Sequence, residues 1–445
     1  MNIQLSDHFT YGRLLRFTLP SIAMMIFTSI YGVVDGMFVS NLVGKTPFAA
    51  VNLIIPFLMV LSTVGFMFGT GGSALVAKTY GEGKKEEANR QFSLFVWVTF
   101  GVALVLAILG FAFMPQIAEL LGATGELRGY CVVYGRIIIC ALPFYALQFL
   151  FQSFMVTAEK PKLGFKVSVM AGATNVVLDA VLVTLLPENY KLAGAAVATA
   201  MAQIVGGAVP LIYFARKNSS YLRIGKCSFD AKAIRKATIN GSSEFMSNIS
   251  MNVVGMLYNI QLMHYAGEDG VSAYGVMLYV SFVFVAIFIG YSIGSAPLVS
   301  FHYGAQNHGE LKNLLKKSLW IVLALGVAMT TLGVLLARPL SMMFVGYDEG
   351  LLELTTSGLR IYALAFLFIG LAILASGFFT ALNDGVTSAI ISFLRTLVFQ
   401  IASVLLLPMV LGVDGIWYSI VVAEVMAVTI SALFLVGKRK RYQYY

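Results

Sequence analysis

Long runs of apolar residues, separated by short polar connections, cover almost the entire chain. A helix rises about 1.5 Å per residue, so a run of roughly 20 residues crosses the ~30 Å hydrocarbon core of a membrane. Glycine and proline occur inside several runs, and membrane helices tolerate both. The pattern therefore predicts twelve membrane-spanning helices, at about 14–39, 48–78, 92–114, 129–157, 163–187, 191–215, 236–265, 271–301, 315–337, 355–382, 386–410 and 413–437.

The composition excludes a water-soluble globule. Hydrophobic residues make up 59% of the 445 residues and charged residues only 11%, against about 45–50% and about 25% in an average soluble protein. The mean hydropathy is +0.84. A disordered chain and a collagen-like fibre are excluded by the same values, and three cysteines are too few for a disulfide scaffold. The expected fold class is an all-α polytopic membrane protein.

The net charge of +9 comes mainly from basic residues in the short connections. With the N-terminus inside, 23 Lys and Arg residues fall in inward segments, and only Lys45, Arg128, Lys191 and Arg338 fall in outward loops. A bias of this kind over short loops sets the orientation in the membrane. We therefore expect a multi-pass protein of the cell (inner) membrane, with both termini in the cytoplasm and no nucleic-acid partner.

The two halves of the chain repeat each other. A shift of 223 residues aligns Gly44 with Gly267, Gly71 with Gly294, Tyr80-Gly81 with Tyr303-Gly304, Gly135 with Gly358 and Thr157-Ala158 with Thr380-Ala381. Six spans per repeat is an even number, so both halves enter the membrane in the same direction. The expected organisation is an N-terminal six-helix lobe (1–215), a linker (216–235), a C-terminal six-helix lobe (236–437) and a basic tail (438–445). Two lobes that face each other across a central cavity are a transporter arrangement, with access alternating as one lobe rocks against the other.

Four segments together carry a family resemblance. They are VVDGMFVSNLVG at 33–44, AKTYGEGK at 77–84, NVVLDAVLV at 175–183 and GAAVATAMAQ at 194–203. With these motifs in this order, the chain resembles the multidrug and toxic compound extrusion (MATE) family over essentially its whole length. The resemblance implies a cation antiporter that exports small molecules, chiefly cationic amphiphilic drugs. We further expect a monomer in contact with membrane lipids, without enzymatic activity and without a cofactor other than the coupling ion, H⁺ or Na⁺.

Acidic side chains at membrane depth are the main candidates for function. Only four of the 21 acidic residues lie well inside predicted spans: Asp35, Asp179, Glu244 and Glu424. Each costs about 2.5 kcal/mol or more to insert unless it is paired, protonated or in contact with water. The alternative is a carboxylate bound structurally to an arginine, or one that lies nearer the membrane surface.

Depth estimates bring four side chains of the first, fifth and sixth spans to one level. At 1.5 Å per residue, Asp35 lies about 9 Å, Thr199 about 10 Å and Asp179 about 12 Å below the outer surface. Asn175 precedes Asp179 by four residues, so both point from the same helix face. An all-oxygen group of this kind can hold a shared proton or a hard monovalent cation such as Na⁺. In the MATE family the matching residues form the cation site, so the resemblance implies that role for all four.

The C-terminal lobe has different polar groups. The 223-residue shift places Tyr258, Val398 and Ala402 opposite Asp35, Asn175 and Asp179. Glu244 lies about 12 Å from the inner surface in the seventh span, and many MATE transporters carry an acidic residue on this helix. We expect its charge to attract organic cations into the cavity from the cytoplasm. The alternative is a hydrogen bond to Ser242, Ser243, Ser247 or Asn248.

Two further features of the spans predict structure. Arg395 and Glu424 lie within about 6 Å of each other in depth, so we expect a structural ion pair between the eleventh and twelfth helices. Pro20 removes a backbone donor in the inner third of the first span, and we expect a kink in the helix that carries Asp35.

Three other functions compete with the antiporter. A flippase for a lipid-linked oligosaccharide or cell-wall precursor would also have two six-helix bundles, but it would favour additional spans and arginines in the cavity. An intramembrane aspartyl protease needs its own motif around each Asp, and neither VVDGM nor VVLDAV contains GxGD. A channel is disfavoured because the polar groups of the two lobes differ. The sequence leaves the choice between H⁺ and Na⁺ open.

Overall fold

The computed structural model describes the backbone of residues 3–43 and 45–444, and the side chains of these residues except those of 33, 36–42 and 45. Gly44, which the repeat aligns with Gly267, lies outside the described residues, as do the first two residues of the N-terminal lobe and the last residue of the tail. All regular structure in the described part is helical. The apolar runs thus form helices throughout, as expected.

Seven helices form the N-terminal lobe. They are α1 (Tyr11–Leu42), α2 (Lys45–Gly81), α3 (Lys85–Leu120), α4 (Gly125–Cys140), α5 (Leu142–Thr157), α6 (Pro161–Leu185) and α7 (Glu188–Ala215). The C-terminal lobe consists of α8 (Ala231–Gly304), α9 (His308–Leu335), α10 (Ala337–Val345), α11 (Glu349–Ala363), α12 (Phe366–Ala381), α13 (Gly385–Phe393), a π-helical turn (Leu394–Val398), α14 (Phe399–Leu406), α15 (Pro408–Leu411) and α16 (Val413–Tyr442).

The helices give the twelve spans that the apolar pattern predicts when helix α8 is counted as two spans and each bent pair of helices as one. In the described part of the chain, nine helices are long and apolar enough to cross a membrane, and the bent pairs α4–α5 (55°) and α11–α12 (44°) add one span each. Helix α8 has 74 residues, or roughly 110 Å at 1.5 Å per residue, which is far more than one membrane thickness. Gly267 divides it, since its backbone (φ 64°, ψ −153°) is non-helical and lies in a region that essentially only glycine adopts.

Several helix boundaries differ from the expected ones. Helix α8 begins at Ala231 rather than near 236, because the side chain of Asp230 accepts hydrogen bonds from the backbone N–H groups of Lys232 and Ala233 and caps the helix. Helix α16 continues through most of the expected tail and ends at Tyr442, where Gln443 has a left-handed backbone (φ 52°). The short helix α10 lies in the connection between the ninth and tenth predicted spans, where the apolar pattern predicted no helix.

The chain termini and the basic connections gather at one end of the molecule, here called the basic end. It contains the segments 3–10, 82–84, 158–160, 216–230, 305–307, 382–384 and 443–444. The backbones of the two lobes meet there. A methyl group on Gly71 would lie 2.9 Å from the Cα of Gly241, and one on Gly304 would lie 3.0 Å from the Cα of Lys78. Contacts this short require glycine, so the lobes are closed against each other at the basic end.

The closing contacts obey the internal repeat. Gly81 packs on Phe301, and Gly304 packs on Lys78, so the two contacts exchange under the 223-residue shift. The same shift relates the contact of Gly71 with Gly241 to that of Gly294 with Thr18. An axis that exchanges the lobes therefore passes through the closed end, which is the geometry expected of parallel repeats.

The first residues of the chain form a strap, residues 3–10, that joins the two lobes across the basic end. The N–H of Leu5 donates to Oε1 of Glu159 in the N-terminal lobe (2.7 Å). The N–H of Phe9 donates to Oε1 of Glu310 in the C-terminal lobe (2.9 Å), and His8 contacts the other oxygen (2.6 Å). Both Leu5 and Phe9 are fully buried, so the strap is part of the packed structure.

Candidate functional site

The four side chains expected to form a cation site come from three helices of the N-terminal lobe, in the half that is distal to the basic end. Asp35 lies on α1, Asn175 and Asp179 on α6, and Thr199 on α7. Nδ2 of Asn175 donates to Oδ1 of Asp35 (3.2 Å), and the hydroxyl of Thr199 donates to the same oxygen (3.3 Å). The half-buried Asp35 thus holds one carboxylate oxygen between two uncharged donors.

Small residues allow the helices to approach at this level. A methyl group on Gly172 would lie 2.6 Å from the ring of Phe27 and 3.0 Å from that of Tyr31, so the glycine lets α1 lie directly on α6. Gly172 is one turn before Asn175. The alanine-rich stretch around Thr199 lets α7 pack on the same face, with Ala195, Ala196 and Ala198 fully buried. Side chains on all three helices therefore converge.

Asp179 is the deepest member of the group. Its side chain is fully buried, and neither of its carboxyl oxygens has a hydrogen-bond partner among the described residues. The Oδ1 atom of Asn175 is likewise buried without a partner, and Asp179 interacts electrostatically with Asp35. Buried polar atoms are normally satisfied, so these three oxygens need a proton, a cation or water to bind. An oxygen-lined group of this kind can hold a proton or a monovalent cation, and it is called the ion site below.

Tyrosines surround the two carboxyl groups, and the sequence did not single them out. Tyr134, only 2% exposed, lies within electrostatic range of Asp35 and Asp179. Tyr31 and Tyr145 also interact with Asp35. A phenol can donate to a carboxylate or accept from a protonated carboxyl group. No local pattern distinguishes these tyrosines from those that pack between helices, because only the fold brings their hydroxyl groups to the site.

A second polar layer lies nearer the basic end of the same lobe. A small pocket is lined by Gln148, Gln152 and Ser168 together with apolar residues, and its space for the centre of a water-sized molecule is about 10 Å³. That is room for one water at most. Neither polar atom of the Gln152 side-chain amide has a partner in the described part of the chain. Polar groups thus continue along the lobe interior from the carboxyl pair toward the basic end.

The two residues expected to pair in the C-terminal lobe are in direct contact. Nε of Arg395 donates to both carboxylate oxygens of Glu424, at 2.8 and 3.0 Å. Glu424 is 2% exposed, and Arg395 lies in the π-helical turn between α13 and α14. The extra residue of a π turn changes the direction in which neighbouring side chains point, and such turns are frequent at functional sites.

Glu244 lies half-buried on α8, and the charge that acts on it is that of Arg395. The hydrogen bonds described around it do not reach its carboxylate: Nδ2 of Asn248 donates to the Glu244 backbone carbonyl (2.8 Å), and the Ser242 hydroxyl donates to the carbonyl of Ile239 (2.7 Å). The sequence pattern did not predict a connection between Glu244 and the Arg395–Glu424 pair. In the fold the charge of Arg395 acts on Glu244 as well as on Glu424, with which it is paired.

The equivalent of the ion site in the C-terminal lobe is uncharged. Tyr258, which the repeat places opposite Asp35, is buried and donates to Oε1 of Gln400 (2.9 Å). Its ring stacks on that of Tyr274, with centroids 5.1 Å apart. The lobes therefore differ in polar chemistry at matching positions, and the ion site has no acidic counterpart there.

Helix α1 links the ion site to the closed basic end. Its distal half carries Asp35, while its first half packs on the C-terminal lobe, where a methyl group on Gly290 would lie 2.6 Å from the Cα of Ile22. Pro20 lies in this first half, two residues before Ile22, and the helix continues through it from Tyr11 to Leu42. The expected kink at Pro20 stays a prediction.

Comparisons with known proteins agree on one family. The family model MatE matches residues 20–181 and 245–406, two stretches of the chain that begin 225 residues apart, as an internal repeat requires. The chain is 25% identical over 433 residues to the multidrug export protein MepA of Staphylococcus haemolyticus, covering 97% of this chain and 94% of that one. It is 24% identical over 443 residues to MepA of Staphylococcus aureus, with the same coverage.

Solved structures share the fold. A MATE crystal structure in complex with MaL6 superposes with a TM-score of 0.92 at 20% identity, covering 98% of each chain. A multidrug resistance MATE family transporter of the MOP superfamily, in its outward-facing conformation, also has a TM-score of 0.92 at 20% identity, covering 100% of this chain and 99% of that one. The likeness at this identity is one of architecture.

Proposed function

The chain belongs to the MatE family, and from that premise we propose that it is a secondary active multidrug efflux transporter that exchanges H⁺ or Na⁺ for cationic amphiphilic compounds. The observation that carries the proposal is the oxygen-lined group in the N-terminal lobe, where neither carboxyl oxygen of the buried Asp179 has a hydrogen-bond partner among the described residues. The MepA relatives are named multidrug export proteins, which supports the export of small molecules. Transport rather than catalysis is the proposed activity.

The orientation follows from charge. We place the basic end, with both termini, in the cytoplasm of the cell (inner) membrane, because 23 Lys and Arg residues lie in the segments expected on that side and four on the other. The ion site then lies in the half of the N-terminal lobe that is nearer the exterior. Closure of the lobes at the basic end corresponds to a state that is open to the outside, in which a drug is released and an external ion binds.

The coupling rests on two acids in a medium of low dielectric constant. Asp35 and Asp179 interact with each other, and two like charges at this depth cannot both ionise at low cost. One proton or one cation therefore binds to the pair, and the titration belongs to the pair rather than to either residue. Asp35 is half-buried, whereas Asp179 is fully buried.

Linkage connects this binding to drug release. An external ion that occupies the group draws α1, α6 and α7 together and lowers the affinity of the lobe for the drug. By reciprocity the drug weakens ion binding by the same factor, which is the thermodynamic requirement for exchange. Because α1 also packs on the C-terminal lobe at Gly290, a movement of its distal half would reach the interface between the lobes.

To take up another drug molecule from the cytoplasm, the two lobes must separate at the basic end. The paired glycine contacts at the basic end hold the lobes together in this structure, and a rocking motion must break both sets to open the cavity to the cytoplasm. Glu244 then lies on the inner half of the cavity wall, where we propose that its charge attracts organic cations.

The test is dye efflux from proteoliposomes under an imposed pH gradient, repeated under an imposed Na⁺ gradient. We expect one of the two gradients to drive efflux by the wild-type protein. Asp179→Asn should abolish gradient-driven efflux while the purified protein stays folded and still binds the dye, and Asp35→Asn should have the same or a milder effect. Glu188→Gln is the matched control, since Glu188 is an exposed acid at the start of α7.

The efflux rate of Asp179→Asn decides whether the carboxyl pair binds the coupling ion. Loss of efflux in Asp179→Asn, together with near wild-type efflux in Glu188→Gln, supports coupling at this group. An Asp179→Asn protein that pumps dye at the wild-type rate under every imposed gradient refutes the assignment of the coupling ion to the carboxyl pair.

A further inference from the structure

A pocket at the basic end lies between the two lobes and outside the proposed ion site. Lys78 of α2 contributes one wall, Lys236 and Asn240 of α8 a second, and Asn383 with Gly385 at the start of α13 a third. Its space for the centres of water-sized molecules is about 190 Å³, more than ten times the ~10–15 Å³ that one water needs by the same measure. The pocket has room for a polyatomic group.

The pocket is positively charged. Lys236 is exposed and Lys78 half-buried. Two acids lie nearby, and neither cancels these charges. Glu82 lies closer to Lys84 (3.0 Å) than to Lys78 (4.0 Å). Asp384 is already bound by Lys438 (2.7 Å). An anion is therefore the favoured occupant.

Asn240 supplies a hydrogen-bond acceptor in the same pocket. It is 3% exposed, and its Nδ2 donates to the carbonyls of Gly71 (3.3 Å) and Thr380 (2.9 Å). These two bonds fix the orientation of the amide. Its Oδ1 is buried and has no partner among the described residues. An occupant with a hydroxyl or amine donor as well as negative charge would satisfy this oxygen together with the lysines.

One side of the pocket carries exposed apolar residues. Ile239, which also lines it, is 39% exposed, and Val386 and Ile390 on the helix that begins at the pocket are 59% and 40% exposed. Val386 and Ile390 are four residues apart, so they share one face of α13. Apolar surface beside a basic pocket at the end of membrane helices suits acyl chains below a charged head group.

We propose that this pocket binds the head group of an anionic phospholipid that carries free hydroxyls, of which phosphatidylglycerol is the simplest. The phosphate is held by Lys78 and Lys236, and a glycerol hydroxyl donates to Oδ1 of Asn240. The binding itself does not depend on the proposed transport activity.

A lipid bound here acts on both lobes, because Lys78 belongs to the N-terminal lobe while Lys236 and Asn240 belong to the C-terminal lobe. The complete pocket exists only while the basic ends are together. A ligand shifts an equilibrium toward the state that it binds more tightly, so the bound lipid stabilises the closed basic end.

The binding experiment uses the purified full-length protein after removal of lipid. Native mass spectrometry measures its affinity for phosphatidylglycerol, for phosphatidylcholine and, as a soluble competitor, for sn-glycerol 3-phosphate. The variant Lys78→Gln/Lys236→Gln removes the pocket charges. Lys78→Arg/Lys236→Arg keeps them, and Lys232→Gln/Arg235→Gln removes two exposed charges from the same end of α8.

We expect the Gln pair at the pocket to weaken phosphatidylglycerol binding at least fivefold, with the Arg pair and the control pair within twofold of wild type. Melting curves that match wild type show that each variant is folded. Equal losses in the pocket and control pairs would overturn the proposal, because the charge of the whole surface would then account for binding. Glycerol phosphate that binds as tightly as phosphatidylglycerol would also overturn it, in favour of a site for free phosphate compounds.

A second measurement tests the effect on conformation. Spin labels at Lys162 and Lys316, both exposed at the basic end of opposite lobes, report the distance between the lobes in a protein whose three cysteines have been replaced. We expect nanodiscs that contain phosphatidylglycerol to increase the short-distance population relative to phosphatidylcholine alone, and the Gln pair at the pocket to abolish that increase. An identical distribution in both lipids would contradict the stabilising role.

Discussion

Gly71→Ala should open the basic end by a calculable amount. A methyl group at this position would lie 2.5 Å from the backbone nitrogen and 2.9 Å from the Cα of Gly241, whereas non-bonded atoms prefer about 3.5–4.0 Å. The obstructing atoms belong to backbone and cannot rotate away. The lobes must therefore move apart by about 1 Å, which also lengthens the bond from Asn240 to the carbonyl of Gly71.

The cost falls on one conformation only. Overpacking in a close-packed contact costs about 1–3 kcal/mol, and the methyl group meets nothing comparable once the lobes have separated. A difference of this size shifts a two-state equilibrium by about 5- to 150-fold. The state that is closed at the basic end should lose that factor in population, and dye efflux should slow because the transporter returns to this state less often.

Spin labels at Lys162 and Lys316 measure the population directly, and substitutions at three glycines form a graded series. At Gly294, the repeat equivalent of Gly71, a methyl group would lie 3.0 Å from Thr18, so the effect should be smaller. At Gly101 it would meet nothing within 4 Å, and Gly101→Ala should match wild type. If Gly71→Ala and Gly101→Ala give the same distance distribution, the reasoning about closure is wrong.

Three further predictions concern charged groups. Arg395→Ala should lower the yield of folded protein, because it leaves the buried Glu424 without its partner at a cost of about 3–5 kcal/mol. The double variant Arg395→Met with Glu424→Gln should restore the yield. A double variant with a lower yield than either single one contradicts the pairing. The pKa of Glu310 is lowered, because burial, which raises it, is outweighed by hydrogen bonds from the strap and a neighbouring amide. The stability that Glu310 contributes is therefore complete at pH values above the usual glutamate pKa of about 4.3, and it is lost as the pH falls through the lowered pKa of the native state. Glu310→Gln should accordingly flatten the acid side of a plot of melting temperature against pH. An unchanged plot would exclude the linkage. Glu244→Gln should raise the KM for cationic dyes several-fold and leave neutral substrates nearly unaffected, and an equal change for both would show that Glu244 acts structurally.

Hydrophobicity and charge along the chain determined the membrane class, the number of spans and the parallel repeat. These properties depend on the length of each apolar run and on the residues between runs, which are local features. The depth of Asp35, Asn175, Asp179 and Thr199 also follows from helix rise, and the fold brings three of them into one hydrogen-bonded group with Asp179 beside it. A helix period predicts the level and the face of a side chain well.

Contacts between distant parts of the chain were decided by the tertiary structure. The strap joins Leu5 to Glu159 and Phe9 to Glu310 across 154 and 301 residues, and no periodicity encodes such a pairing. The proximity of Glu244 to Arg395 and of Tyr134 to Asp35 likewise depends on how the helices rotate and cross. Helix rotation is set by the packing of small and large side chains at each interface, which becomes defined only when all neighbours are in place.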